Sequence, residues 1–220
     1  MRRITINTFL TLDGVMQAPG GPDEDPSNGF KHGGWSAKYW DDVMGHIMDQ
    51  TMRKPFDLLL GRKTYDIFAA YWPSSTQEPV ASAFKKATKY VASRTLEKGT
   101  WATTQVLKGD VAQEVAQLKR SVGPELQIHG SANLAQTLIK HNLIDTYRLW
   151  FFPLVLGTGK RIFADGTIPA ALKLTDSKTS TTGVTIVTFE PAGAIEYGSL
   201  DERPEEHATR REEVAASGRR

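Results

Sequence analysis

Three times along this chain, a short run of β-forming residues stops at a tight turn and leads on into a helical pattern. Phe56-Asp57-Leu58-Leu59-Leu60 meets Gly61-Arg62-Lys63-Thr64 and then a helix from Tyr65 to Ala70. Lys89-Tyr90-Val91-Ala92 leads to Ser93-Arg94-Thr95, followed by a helix capped by Asp110 that runs from Val111 to Val122 with Val111, Val115 and Leu118 on one side. Glu125-Leu126-Gln127-Ile128 leads to His129-Gly130-Ser131 and a helix from Ala132 to Lys140. Strands that alternate with helices return to the sheet in the same direction, so the pattern predicts an α/β fold with a mostly parallel central sheet and helices on both faces.

The remaining segments fit around that frame. Arg3 to Leu12 reads as a first strand ended by Asp13-Gly14, and the glycines and prolines between Pro19 and Gly34 predict a long surface loop. Ser36 is placed to cap a helix reaching about Met52, and Pro55 ends it. After Ile144 comes an apolar β-rich run, Tyr147 to Leu156. Leu172 to Thr179 and Val184 to Phe189 then form a C-terminal antiparallel hairpin at the sheet edge. At 220 residues and 40% hydrophobic content the chain suits one core. Residues 1–197 are therefore expected to form one domain, and 198–220, mixed in charge and poor in apolar residues, a flexible tail.

Composition narrows the function classes. A net charge of +2 without a dense basic run argues against nucleic acid as a partner. No stretch approaches the roughly 18 apolar residues of a membrane span, and the N-terminus lacks a signal-peptide core, so a soluble, cytoplasmic protein is expected. With no cysteine there is no thiolate metal site, and the five histidines show no metal-ligand spacing, so no metal is expected.

Phosphate binding needs backbone N–H donors and positive charge, and a helix N-terminus preceded by glycine supplies both. Gly61-Arg62-Lys63-Thr64 and Gly130-Ser131-Ala132 are two such starts, although glycine at a strand-to-helix turn is more often only a steric solution. Arg94 adds a guanidinium at the edge where α/β sheets bind ligands. Gly157-Thr158-Gly159-Lys160-Arg161 is not a P-loop, because Arg161 stands where a magnesium-binding hydroxyl belongs. No Gly-x-Gly-x-x-Gly follows the first strand, so a Rossmann reading lacks its signature.

Taken in order, these pieces resemble the dihydrofolate reductase-like superfamily. Phe56 to Tyr65 is similar to its strand-Gly-Arg-x-Thr-aromatic motif, Tyr90 to Thr95 to its Ser-Arg strand, and Ile128 to Ala132 to its glycine-pair turn. Thr11 to Met16 matches its opening strand and turn. Pro153-Leu154-Val155-Leu156-Gly157-Thr158-Gly159 is similar to a run in riboflavin-biosynthesis reductase domains, and the likeness covers roughly residues 3 to 190. This resemblance implies a three-layer fold, an NADPH cofactor and hydride transfer to a small heterocyclic or conjugated C=N or C=O substrate. A catalytically idle NADPH-binding dimer and a true dihydrofolate reductase are the alternatives.

It further implies Arg62, Lys63 and Arg94 around the adenosine 2′-phosphate and Thr64, Gly130, Ser131 and Ala132 around the pyrophosphate, with Gly61, Ser93 and His129 also among the cofactor-binding residues. The backbone near Phe9 and Met16 would hold the carboxamide. The family's cis bond inside the glycine pair would here follow His129. On the substrate side it points to Asp41 or Asp42 on the first helix as the catalytic carboxylate, or to an ordered water, and Trp35, Trp40 and Trp72 are candidates to stack on a planar ring. An acidic pair on a helix is commonly just its solvated face. The acidic loop containing Asp23, Glu24 and Asp25 argues against an anionic substrate gripped there, and the missing cysteines exclude a zinc deaminase half. Relatives on this branch pair through their late strands, so a homodimer is expected.

Overall fold

The computed structural model describes residues 1–200; the tail expected over 198–220 lies, from Asp201 on, outside the described residues. Its strands are β1 Ile4–Thr11, β2 Phe56–Gly61, β3 Lys89–Ala92, β4 Thr104–Leu107, β5 Glu125–Ile128, β6 Thr146–Phe152, β7 Leu172–Thr179 and β8 Thr185–Pro191. They form one eight-stranded sheet in the order β4-β3-β2-β5-β1-β6-β8-β7. Every pairing from β4 through β6 is parallel, and β6, β8 and β7 pair antiparallel. The parallel body is what the alternation of strands and helices predicted, and the whole is the dihydrofolate reductase-like architecture that the resemblance implied.

The helices are α1 Asp42–Arg53, α2 Arg62–Tyr71, α3 Val80–Lys86, α4 Val111–Arg120 and α5 Ala132–Lys140. On one face Ile4, Ile6 and Leu10 of β1 pack with Val115 of α4 and with Leu134 and Leu138 of α5. On the other, Met44 and Ile47 of α1 pack on Trp150 and Phe152 of β6, while Phe56, Leu58 and Leu60 of β2 pack with Tyr65 of α2 and Phe84 of α3. A strand covered on both faces reads as a continuous apolar run, which is why β2 was legible from sequence.

Three elements differ from the sequence reading. Ser36 does not cap α1, because its hydroxyl donates to the Pro19 carbonyl at 2.8 Å and the chain passes through a 3₁₀ turn, Ala37–Tyr39, before Trp40 and Asp41 return to extended backbone. Asp41 is the cap, its Oδ1 accepting from the Met44 N–H at 2.9 Å. Strand β4 and helix α3 have no counterpart in the sequence reading. Both are short, and β4 has no apolar alternation to announce it.

A structural hub sits where β1 ends. Asp13 accepts hydrogen bonds from the Thr11 hydroxyl and from the amides of Leu156 and Gly157, and pairs with Arg161 at 3.2 Å. Burial works against its charge, yet these donors outweigh it and hold the carboxyl down at about 2. The Pro153 to Gly159 run thus serves as a turn pinned to the first strand.

Candidate active site

Parallel strands bring their C-terminal ends to one edge, and there the chain leaves a cleft of about 1250 Å³. Beyond Ile6, β1 loses β5 as a neighbour while continuing beside β6 to Thr11, so backbone groups on that side of Asn7 to Leu10 have no sheet partner. Phe9 and Met16 line the cleft at this point. The Met16 N–H is already given to the Lys160 carbonyl at 2.8 Å.

Two helix starts face the cleft from neighbouring strands. Gly61 precedes α2 and Ser131 precedes α5, and neither helix has a side-chain cap. They are tied together: the Ser131 N–H donates to Thr64 Oγ1 at 2.9 Å and the Gly61 N–H to Ser131 Oγ at 3.0 Å. The turn uses two consecutive left-handed residues, Gly130 at φ 59° and Ser131 at φ 58°. A Cβ at Gly130 would meet Thr64 Oγ1 at 3.2 Å, so glycine lets the two helix ends approach. The cis peptide expected after His129 is absent; the one cis bond among the described residues is Glu78-Pro79. A cis bond outside proline costs several kcal/mol, and here the positive φ of Gly130 and Ser131 makes the turn instead.

Arg62, Lys63, Ser93 and Arg94 line the same cleft, as do Gly61, Thr64, His129, Gly130, Ser131 and Ala132. Arg62 is held by Asp66 at 2.9 Å, Lys63 stands 3.9 Å from Asp25, and Arg94 lies exposed at the rim without an ion pair among the described residues. Residues from three separate turns therefore share one space.

The substrate side requires corrections. Asp41 does not line the cleft: its second oxygen accepts from the amide and hydroxyl of Thr181 at 2.7 and 2.8 Å, tying α1 to the β7–β8 turn. The Met44 amide, followed by Thr181, holds its carboxyl below the usual range. Asp42 is exposed and also outside the cleft wall. The carboxylate that α1 does turn to the cleft is Asp49, two helical turns further on, beside Met48 and Met52. With α1 starting at Asp42 rather than at Ser36, Asp41 falls outside the helix, while Asp49 follows Gly45 at i, i+4 on its cleft-facing side, the spacing that would have found it.

Trp35 is likewise outside the cleft wall, donating its indole N–H to the Gln17 carbonyl at 2.8 Å and meeting Phe152 edge on. Trp40 and Trp72 do line it, and Trp40 stacks on Trp150 with the planes 7° apart.

The loop from Pro19 to Gly34 closes one end of the cleft and is firmly held. Lys160 Nζ binds Asp25 Oδ2 at 2.6 Å and Ser27 Oγ at 2.9 Å, and the Gln17 amide donates to the carbonyls of Asp25 and Ser27 at 3.0 Å. Glu24 on this loop lines the cleft, and burial raises its carboxyl despite the Gly20 and Gly21 amides. Sequence reasoning saw only an acidic loop here.

The sheet order, the cleft at the strand ends and the paired helix starts define a protein of the dihydrofolate reductase-like class. The chain belongs to the RibD C-terminal domain family, whose model matches residues 2–188. It is 28% identical over 196 residues to the uncharacterized protein YyaP of Bacillus subtilis, covering 86% of this chain and 94% of that one. Its fold is similar to a diaminohydroxyphosphoribosylaminopyrimidine deaminase/5-amino-6-(5-phosphoribosylamino)uracil reductase of Thermotoga maritima, with a TM-score of 0.57 and 13% identity, over 87% of this chain and 57% of that one. It is also similar to dihydrofolate reductase of Enterococcus faecalis in complex with NADP(H), with a TM-score of 0.54 and 11% identity, over 86% of this chain and 96% of that one.

Proposed function

We propose that this chain is an NADPH-dependent reductase that passes hydride to a small heterocyclic or conjugated C=N or C=O substrate. One observation carries the reading. Two uncapped helix starts, the cations Arg62, Lys63 and Arg94, and the unpaired edge of β1 all border a single cleft of about 1250 Å³. Pockets for one small ligand run to about 300–1,000 Å³, so this volume suits a dinucleotide with a second molecule beside it.

The donor set fits the cofactor. Amides at α2 and α5 suit a pyrophosphate, and Arg94, with Arg62 and Lys63 nearby, suits a 2′-phosphate. When bound, NADPH supplies the hydride. The chain's own part is to orient both molecules, exclude water and hold a proton. Of the carboxyls that line the cleft, Glu24, raised by burial, suits the last best in place of Asp41 and Asp42, while Asp49 on α1 is paired with Arg53 at 3.0 Å.

Against a catalytically idle binder stands the space left over, walled by Met48, Met52, Phe68, Trp72, Val80 and Phe84. The exposed face of β7, with Leu172 and Leu174 outward, supports a homodimer through the hairpin, which light scattering would read directly.

Thermal-shift titration tests the main reading. NADPH is expected to raise the melting temperature more than NADH at equal concentration, and equal or absent shifts would refute it.

A further inference from the structure

The cleft floor carries one polar group with nothing to bind. Asn7 on β1 is 3% exposed and lines the cleft. Its Oδ1 accepts the Trp150 indole N–H at 3.0 Å, and an indole nitrogen only donates, which fixes which way the amide points. The Nδ2 group is then the free end, and it is a buried side-chain atom with no partner among the described residues. A buried donor left unpaired is costly, so such a group calls for a ligand.

The neighbouring strand offers the complement. Glu125 accepts from the Thr5 hydroxyl and from Gln127 Nε2, the latter at 3.4 Å, so the Gln127 amide presents its oxygen to His129 Nε2 at 3.0 Å. A carboxylate accepts and the amide oxygen accepts, hence the proton on His129 sits at Nε2 and its Nδ1 keeps a lone pair. Burial, with Arg148 adding to it, pushes the imidazole down to about 3, so the ring is neutral at working pH. Nδ1 has no partner among the described residues, and His129 lines the cleft against Phe84.

Donor and acceptor share one face of the sheet. β1 and β5 pair Ile6 with Ile128, both buried toward α5. The next residues out, Asn7 and His129, therefore turn to the opposite face and border the cleft from its two sides, just where the strands part to leave room for a ring between them.

We propose that Asn7 and His129 are specificity-determining residues that read the cis-amide edge of a neutral planar heterocycle, Asn7 Nδ2 donating to a ring carbonyl and His129 Nδ1 accepting from the adjacent ring N–H. The assignment rests on the reductase reading in that this heterocycle is taken as the hydride acceptor. Ligands that offer only acceptors along that edge, such as quinones and diketones, leave His129 unmatched.

Ligand-observed NMR with 2-quinolone and N-methyl-2-quinolone tests it, since the methyl group removes only the N–H. With NADPH saturating, the wild type is expected to bind 2-quinolone about tenfold more tightly than the N-methyl compound, the usual cost of one unmatched polar group. Asn7→Asp, which still accepts from Trp150, is expected to weaken 2-quinolone and its N-methyl analogue alike by about tenfold, whereas His129→Phe is expected to weaken 2-quinolone about tenfold and to abolish the discrimination. The Asn7 side-chain amide signals of the wild type are expected to shift with 2-quinolone, a readout that needs no variant to fold. Equal binding of the two probes, no binding of either, or displacement of 2-quinolone by NADPH overturns the proposal; the last would give this edge to the cofactor's carboxamide. NADPH titration of the same samples separates the two claims: discrimination without NADPH binding sinks only the reductase reading, and NADPH binding without discrimination sinks only this one.

Discussion

At the scale of single residues, a buried ammonium and a half-buried carboxylate each make stability rise with pH, in two separate windows. Lys89 is fully buried, with Nζ given to the Lys85 carbonyl and the Thr103 hydroxyl and lying 4.3 Å from the centre of the Trp101 ring. Burial lowers its ammonium to about 8, against a smaller opposing pull from Asp57. Between that value and the ordinary one of 10.5 the unfolded chain binds more protons than the folded one, so stability rises with pH across this window. In denaturation at pH 8, 9 and 10, the wild type should gain on the order of 2 kcal/mol relative to Lys89→Met. Asp13 has the same sign in the acid range. Its depressed carboxyl gives stability that is full above the unfolded value of 3.8 and is lost as pH falls through about 2. Asp13→Asn should cost about 1–2 kcal/mol at neutral pH and flatten the acid limb of the same curve.

Elements meet at side chains that do two jobs. Asp41 caps α1 and holds the β7–β8 turn, so Asp41→Ala should lower the midpoint of denaturation. NADPH affinity should stay at the wild-type level, because the residue lies outside the cleft wall; a purely binding loss would contradict the capping role. The α2 and α5 starts depend on Gly130. Gly130→Ala forces a side chain into a left-handed conformation against Thr64, which should cost about 1–3 kcal/mol in denaturant and weaken NADPH binding together with it. Loss of stability with unchanged binding would show that the two helix starts do not act as one unit.

For the whole molecule, the separate turns matter only because the sheet gathers them. Arg94 is the cation at the rim with no partner of its own among the described residues. Arg94→Ala should lower NADPH affinity about tenfold or more, as expected for one charge-assisted contact, and leave NADH binding unchanged in a fluorescence titration. An equal loss for both cofactors would move Arg94 away from the 2′-phosphate.

The sequence by itself determined the sheet's parallel body, the closing hairpin and the strand-to-helix turns, because hydrophobic period and glycine placement are local signals that survive in one dimension. It also supplied the residues of those turns, Gly61 to Thr64, Ser93, Arg94 and Gly130 to Ala132, which stand along one cleft. It did not determine where α1 begins. Ser36 and Asp41 are both good caps, and the choice fell to the Pro19 carbonyl and Thr181, partners distant in sequence. That start left Asp41 outside the helix, tied to Thr181 and away from the cleft wall that Gly45, Asp49 and Met52 line. Trp35 was decided the same way, by the Gln17 carbonyl and the Phe152 ring. Only tertiary structure could set Asn7 beside His129, since their pairing depends on strand order and register, and strand β5 reaches β1 only after most of the chain between them has been threaded through the sheet.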